Sequence, residues 1–329
     1  MTEVSKSSLK DLKATLKPTG LLLPHVNRHL LKMNAEGDLT RDHSHLHPSD
    51  MAKSEWCSRR AFYRVEGYPK SDKVNASYRL ENIFAEGHAI HHKWQKWLWE
   101  IGCLWGKWKC LDCGDTFYAT SPECCDSCGG LISYAEVPLR SDPEYMIQGH
   151  SDGAVVLDGN KYLIEIKSIG VGTLRFEAPE LNKKLTSGEM TLSQVWTSIN
   201  RPFPSHLRQG LIYLELARHH EFLESVDEII FIYEWKPSQD VKEFTIKRNS
   251  DLISRLLTDA KDVKSCIDSG SVPDRPDWAT NSSARHCKKC DYLEECWNES
   301  HVGEPNVVKR PIKKASSARR RKALGSSKR

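Results

Sequence analysis

A chain of 329 residues, 39% hydrophobic and 28% charged, has the balance of a soluble globular protein, with apolar material for one large core or two small ones. No apolar run approaches bilayer length, and the opening MTEVSKSSLKDLKATLKPTG lacks the apolar centre of a secretory signal, so a cytosolic protein without a membrane partner is expected. The net charge of +4 hides an asymmetry: ten Lys or Arg and no acid fall in residues 309–329, leaving 38 basic against 44 acidic residues, a net of −6, for the rest.

Residues 1–48 read as a polar, irregular segment ending in RDHSHLHPSD, where His43, His45 and His47 are expected in a solvated loop rather than as metal ligands. Ser49 has the character of a helix N-cap before DMAKSEWCSRRAFYR. From about residue 76 to 100, Ile83, Phe84, Ile90, Trp94, Trp97 and Leu98 recur at helical spacing and predict one long helix. Cysteine-rich residues 110–130 follow. YMIQGHSDGAVV and KYLIEIKSI then predict a β-hairpin closed by Asp158-Gly159. Residues 170–205 show no clear period and are expected as a loop or short helical excursion. A helix over 206–220, strands over 228–235 and 241–247, and a helix over 250–269 complete an α/β pattern. The run 309–329 is too polar to fold around anything; it suits either a solvated disordered end or a grip on a phosphate backbone.

The hairpin carries the first chemical signal. Glu165 and Lys167 are two apart and share a strand face, Ile164 and Ile166 point to the other, and pairing can bring Asp152 alongside. Two carboxylates there can hold Mg²⁺ or Mn²⁺ through hard oxygens, with the Ile166 backbone carbonyl completing the shell. Such an ion activates water and polarises a phosphodiester, while Lys167 stabilises the developing charge. An ion pair on an amphipathic strand explains the same three residues equally well. Three further features bear on the choice. Gly87 and His91 share a helix face, where His91 can add a nitrogen ligand and Gly87 allows close backbone approach. Gln209 and Tyr213 share another, as an amide and a phenol suited to phosphate, sugar or base edge. Cys287, Cys290 and Cys296 form C-x2-C-x5-C, with a lone Cys57 far upstream.

Eleven cysteines in a chain without a secretory signal point to metal rather than disulfides. Cys110-x2-Cys113 and Cys125-x2-Cys128, eleven residues apart and each followed by glycine, predict a zinc-ribbon-like knuckle, with Cys125 preferred to Cys124 because it preserves the C-x2-C spacing. Cys103 and Cys266 are expected as ordinary buried cysteines.

In order along the chain, Cys57 in a Cys-x-Arg-Arg context, Gly87 to His91, Asp152, Glu165 to Lys167, Gln209 to Tyr213, and Cys287, Cys290, Cys296 resemble the RecB-like branch of the PD-(D/E)xK nuclease superfamily. The set is most similar to its iron–sulfur members, the AddB-type helicase–nucleases and the exonucleases of CRISPR adaptation, over about residues 49–297. The resemblance implies a restriction-endonuclease-like mixed sheet flanked by helices. It implies metal ligation by His91, Asp152 and Glu165, catalysis through Asp152, Glu165 and Lys167, and DNA contacts from Gln209 and Tyr213. It also implies a 4Fe–4S cluster on Cys57, Cys287, Cys290 and Cys296, for which zinc is the alternative occupant and His286 a substitute ligand. The expected organisation is an irregular segment (1–48), a nuclease domain (49–300) carrying the zinc-ribbon-like insert (105–132), and the basic tail (301–329). The expected function is metal-dependent exonucleolytic cleavage of single-stranded or end-containing DNA in the cytoplasm of a bacterial or phage-infected cell. With no helicase motif, unwinding falls to a helicase or recombination partner. The alternative is a non-catalytic DNA-binding accessory of recombination, which the complete acid and lysine set disfavours.

Overall fold

The computed structural model describes residues 20–40, 42–70 and 77–298; the basic tail and the first nineteen residues lie outside them. Where an irregular N-terminal segment is expected, α1 (Leu23–Thr40) is a helix. Val26 and Leu30, four apart and half-buried, are its thin apolar stripe against the later long helix, too sparse to stand out in a polar sequence. The His-rich stretch is not solvated. His45 and His47 are buried, with His45 Nε2 2.8 Å from Asp142 Oδ1 and His47 Nε2 donating to the Asp42 carbonyl at 2.9 Å.

The Ser49 region holds only the single turn α2 (Pro48–Met51), capped by His47; the longer α3 (Ser58–Val65) starts at Cys57, whose Sγ accepts the Arg60 N–H at 3.4 Å. The long helix α4 (Tyr78–Glu100) begins at Ser77, whose hydroxyl accepts the Leu80 N–H. Its second half is apolar toward the sheet: Ile90, Trp94 and Leu98 pack with Leu104, Val155, Ile164, Ile166, Ile230 and Ile232. Its first half is not buried as the spacing predicts, for Ile83 and Phe84 stay about half-exposed (46% and 48%). The helix is pinned to the sheet by Glu234, 1% exposed, which accepts from Lys93 Nζ at 2.6 Å and Trp94 Nε1 at 2.7 Å.

The remaining elements are β1 (Leu104–Cys110), β2 (Thr116–Thr120), β3 (Ile132–Tyr134), β4 (Val137–Ser141), β5 (Ile147–Ser151), β6 (Gly153–Leu157), β7 (Asn160–Ile169), α5 (Val171–Glu177), α6 (Pro179–Thr186), α7 (Leu192–Ser198), α8 (Pro204–Ala217), β8 (Glu228–Trp235), β9 (Asp240–Lys247), α9 (Ser250–Ser269), a 3₁₀ turn (Cys287–Lys289) and α10 (Leu293–Trp297). The central sheet is mixed, in the order β2-β1-β6-β7-β8-β9, with β3 also on β1; β4 and β5 form a separate ribbon. Only β7 and β8 run parallel, joined through α5 to α8. Accordingly β8 is apolar on both faces. α4 covers one face, while α8 and α9 build the main core on the other. This is the expected α/β architecture, a mixed central sheet flanked by helices with a four-cysteine knuckle.

One feature departs from expectation. The run YMIQGHSDGAVV is not one strand: it breaks at Asp152, β5 pairing with β4 and β6 with β7. The strands around the cysteine knuckle extend the central sheet through β1. The hairpin turn is as predicted, with Asp158 (φ 49°) and Gly159 (φ 80°) both left-handed, the conformation that favours Asp-Gly.

Candidate active site

The site lies where β7 outruns its neighbour. Pairing with β6 ends at Gly153 opposite Ile164, so from Glu165 onward β7 has a strand on one side only. Side chains take over the open edge. Ser151 Oγ donates to the Ile164 carbonyl at 2.9 Å, and Asp152 Oδ2 accepts the Ile166 N–H at 2.6 Å. The break at Asp152 frees its carboxylate to turn across the edge, and Gln95 Nε2 on α4 fixes its backbone by donating to its carbonyl at 2.9 Å. Since N–H and C=O of one strand residue point the same way, the Ile166 carbonyl faces this edge too.

Asp152 Oδ1 lies 3.2 Å from His91 Nδ1. Burial works against a charged His91, but the bond and charge of Asp152 prevail and hold its pKa above the usual value. Gly87, one turn earlier, is not a forced glycine: an added Cβ would sit 3.5 Å from Ser168 Oγ, ordinary contact. Glu165, 2% exposed, accepts from Lys167 Nζ on Oε1 at 2.7 Å, while its buried Oε2 has no hydrogen-bond partner. Burial, then the Asp152 charge, push its carboxyl up to about 7. Burial opposes a charged Lys167, yet Glu165 and Asp152 more than compensate and keep it an ammonium.

Gln209 and Tyr213 are brought to the same place but one layer behind it. Both are buried; Gln209 Oε1 accepts from Lys167 Nζ at 3.0 Å and its Nε2 donates to the Tyr213 hydroxyl at 3.3 Å. The pair thus holds the lysine in place, and Tyr213 also lines a cavity with Gln148, Gly149 and His150. The sequence gives no hint of His206, whose Nδ1 lies 2.5 Å from Tyr233 Oη; burial, then the Lys167 charge, hold it neutral, well below the usual imidazole value.

Sequence reasoning also misses Glu136. One ligand atom each from His91, Glu136 and Asp152 lie within 4.8 Å of one another. Burial, then Asp152, raise the Glu136 carboxyl to about 7. No motif marks it; topology alone carries it there. Its backbone is left-handed (φ 59°), as are those of Ser121, Met146, Asp158 and Gln239, a conformation costing a non-glycine residue roughly 1–3 kcal/mol.

Glu165 binds protons more readily folded than unfolded. Its contribution to stability is therefore full below its ordinary value near 4.5 and is lost as pH rises toward 7. In protein dialysed free of Mg²⁺ and Mn²⁺, Glu165→Gln, which cannot titrate, is expected to gain melting temperature relative to wild type between pH 5 and pH 7.5. A difference that stays constant across that range would contradict the assignment.

The knuckle cysteines converge as the spacing predicts. Cys110 Sγ lies 3.5 Å from Cys128 Sγ, and Cys113 Sγ 3.8 Å from Cys125 Sγ, with all four within 4.8 Å. Zn–S bonds of ~2.3 Å set tetrahedral S···S edges of about 3.8 Å, so these four thiols fit that ion. Cys124 is exposed and outside the group; Cys103 is buried, Cys266 half-buried.

Cys57, Cys287, Cys290 and Cys296 line a single cavity of about 140 Å³, with Arg60 and Arg275 also in its wall. Among the described residues no three of these sulfurs come within 4.8 Å of one another, unlike the knuckle set. Four thiols lining one cavity can ligate a metal group, and thiolate-bound iron–sulfur clusters are one such group.

No family model matches the sequence, and no curated protein matches it. Solved structures similar to the chain include SSO0001 (16% identity over 80% of this chain and 93% of that one, TM-score 0.35). Others are an alkaline exonuclease, LHK-Exo, from Laribacter hongkongensis (12% identity, 69% and 90% covered, TM-score 0.38) and LHK-Exo in complex with dAMP (11% identity, 69% and 90% covered, TM-score 0.38). These likenesses are remote, and the chemistry of the site rests on its own geometry.

Proposed function

We propose that the chain is a divalent-metal-dependent DNA nuclease, acting as an exonuclease on single-stranded or end-containing DNA. One observation carries the proposal: a carboxylate at 2% exposure keeps an oxygen without a partner, beside a second carboxylate and a lysine on an open sheet edge. Buried polar atoms are mostly satisfied, so an oxygen left over beside a second carboxylate is open to a cation. His91, Asp152, Glu165 and the Ile166 carbonyl would hold Mg²⁺ or Mn²⁺, a donor set of oxygens with one imidazole. The bound ion would polarise the phosphodiester and activate water. Asp152 and Glu165 supply the negative charge that retains a cation. Lys167, protonated and aimed by Gln209, neutralises charge developing on the phosphate oxygens, and Tyr213 fixes Gln209 from behind. Cys57, Cys287, Cys290 and Cys296 would hold a 4Fe–4S cluster joining α3 to the C-terminal segment, and the knuckle would hold Zn²⁺. The motif order along the chain supports DNA as substrate, and duplex DNA would need a helicase or recombination partner to open it.

The test compares end-labelled linear single-stranded DNA with the same sequence closed into a circle, in Mg²⁺ and in Mn²⁺. The linear strand is expected to be degraded and the circle spared. Cutting of the circle would replace the exonuclease mode with an endonuclease, and survival of both in both metals would refute the nuclease.

A further inference from the structure

We propose that Glu136, delivered by the cysteine knuckle, is a further ligand of the divalent ion, so that the knuckle completes the catalytic centre; this rests on the metal-dependent reading above. The topology shows how. β3 and β6 both pair antiparallel to β1 along the same edge: Ile132 to Tyr134 lie opposite Cys110 to Trp108, and Ala154 and Val155 lie opposite Trp105 and Leu104. The two strands meet end to end near Gly106 and Lys107. Glu136 is the residue leaving the first, and Asp152 the residue entering the second.

The meeting point is rigid. The Ala135 N–H donates to the Lys107 carbonyl at 2.7 Å and the Lys107 N–H to the Glu136 carbonyl at 2.9 Å. The Tyr134 hydroxyl donates to the Trp105 carbonyl at 3.0 Å. A Cβ on Gly106 would press against the Glu136 carbonyl and the Tyr134 ring, so only glycine lets this segment lie so close. Thus Glu136 sits within ligand distance of both His91 and Asp152. Like-charged carboxylates held together repel, and Glu136, which also meets the Gln95 amide of α4, is held beside Asp152 all the same. The buried Glu165 Oε2, which has no hydrogen-bond partner, is open to the same cation.

The consequence is that two metal sites are wired together. β3 pairs with β1, which ends at Cys110, and follows the loop that carries Cys125 and Cys128, so the knuckle sets the position of a ligand in the centre beside it. This gives the knuckle a role that does not require it to touch DNA.

The experiment measures Mn²⁺ binding to the full chain by calorimetry and by the loss of the free-ion EPR signal, with zinc content and thermal melts recorded for each variant. Glu136→Gln is expected to weaken Mn²⁺ binding at least about ten-fold, with zinc content unchanged and a metal-free melting temperature equal to wild type or higher, because a repulsion is removed. Glu136→Asp, retaining the charge on a shorter arm, should fall between. Unchanged Mn²⁺ affinity in Glu136→Gln, while Asp152→Asn loses it, overturns this inference and leaves the metal-dependent reading intact. Absence of Mn²⁺ binding by wild type overturns both.

Discussion

Asp152→Asn and Lys167→Gln are each expected to lower the single-turnover rate of phosphodiester cleavage by roughly 10²–10³-fold or more, the scale of losing one preorganised charge at a reacting phosphate. The two act differently. In Asp152→Asn the side-chain oxygen can still accept the Ile166 N–H that Asp152 Oδ2 accepts at 2.6 Å, so the open edge of β7 stays satisfied while the anionic ligand is lost. Metal affinity and rate should fall together, with little change in melting temperature. Lys167→Gln removes the partner of the buried Glu165. Stranding a buried charge costs about 3–5 kcal/mol, but Glu165 already holds its proton up to about pH 7, so protonation absorbs part of that cost. This variant should therefore bind Mn²⁺ yet turn over slowly, and its stability deficit should grow as pH rises above 7. Cleavage by either variant within about three-fold of wild type would place the chemistry elsewhere.

The second large effect concerns the separated cysteines. Cys57 caps α3, while Cys287, Cys290 and Cys296 lie in the short C-terminal elements. The contacts between them are modest: Tyr63 packs against Tyr292 at 5.9 Å, Tyr63 donates to the Glu295 carbonyl at 3.4 Å, and Arg60 lies 3.6 Å from Asp291. A cross-link closing a loop of this length removes about 5 kcal/mol of chain entropy from the unfolded state. Cys290→Ser should therefore lose the bound iron, release the C-terminal segment to proteolysis and lower the melting temperature sharply, while leaving the knuckle's zinc in place. Anaerobically purified wild type should contain about four irons and matching sulfide per chain. Zinc at both cysteine sets and no iron would overturn the cluster, leaving the knuckle as it is.

How much was legible in the sequence depended on the range of the forces that build each part. β8 keeps its predicted bounds around the continuous apolar run Ile229 to Tyr233, because a strand buried on both faces is built mainly from apolar side chains. α9 also keeps its predicted bounds, opened by Asn249 and closed by a left-handed Gly270, both local signals. The knuckle was legible because chelate geometry restricts cysteine spacing. Helix α1 was not, since its stability comes from packing on α4 rather than from its own pattern. The break at Asp152 was hidden because both halves of its strand have the same β character, and only the competition between β4 and β7 for partners divides them. Glu136 was the least accessible residue of the site: it reaches His91 and Asp152 through the order of strands on β1, which no local spacing encodes. Gln209 and Tyr213 were legible as a pair on one helix face while their bond to Lys167 was not, because an i, i+4 pair shows which face it shares and not what covers that face.

The central claim, a metal-dependent nuclease centred on Asp152, Glu165 and Lys167, is tested most directly by one time course. End-labelled linear DNA is incubated with wild-type protein dialysed free of Mg²⁺ and Mn²⁺, and either ion is then added back. The expected result is no cleavage before addition and progressive shortening after it. Cleavage at the same rate before and after addition, or none after either ion, would contradict it.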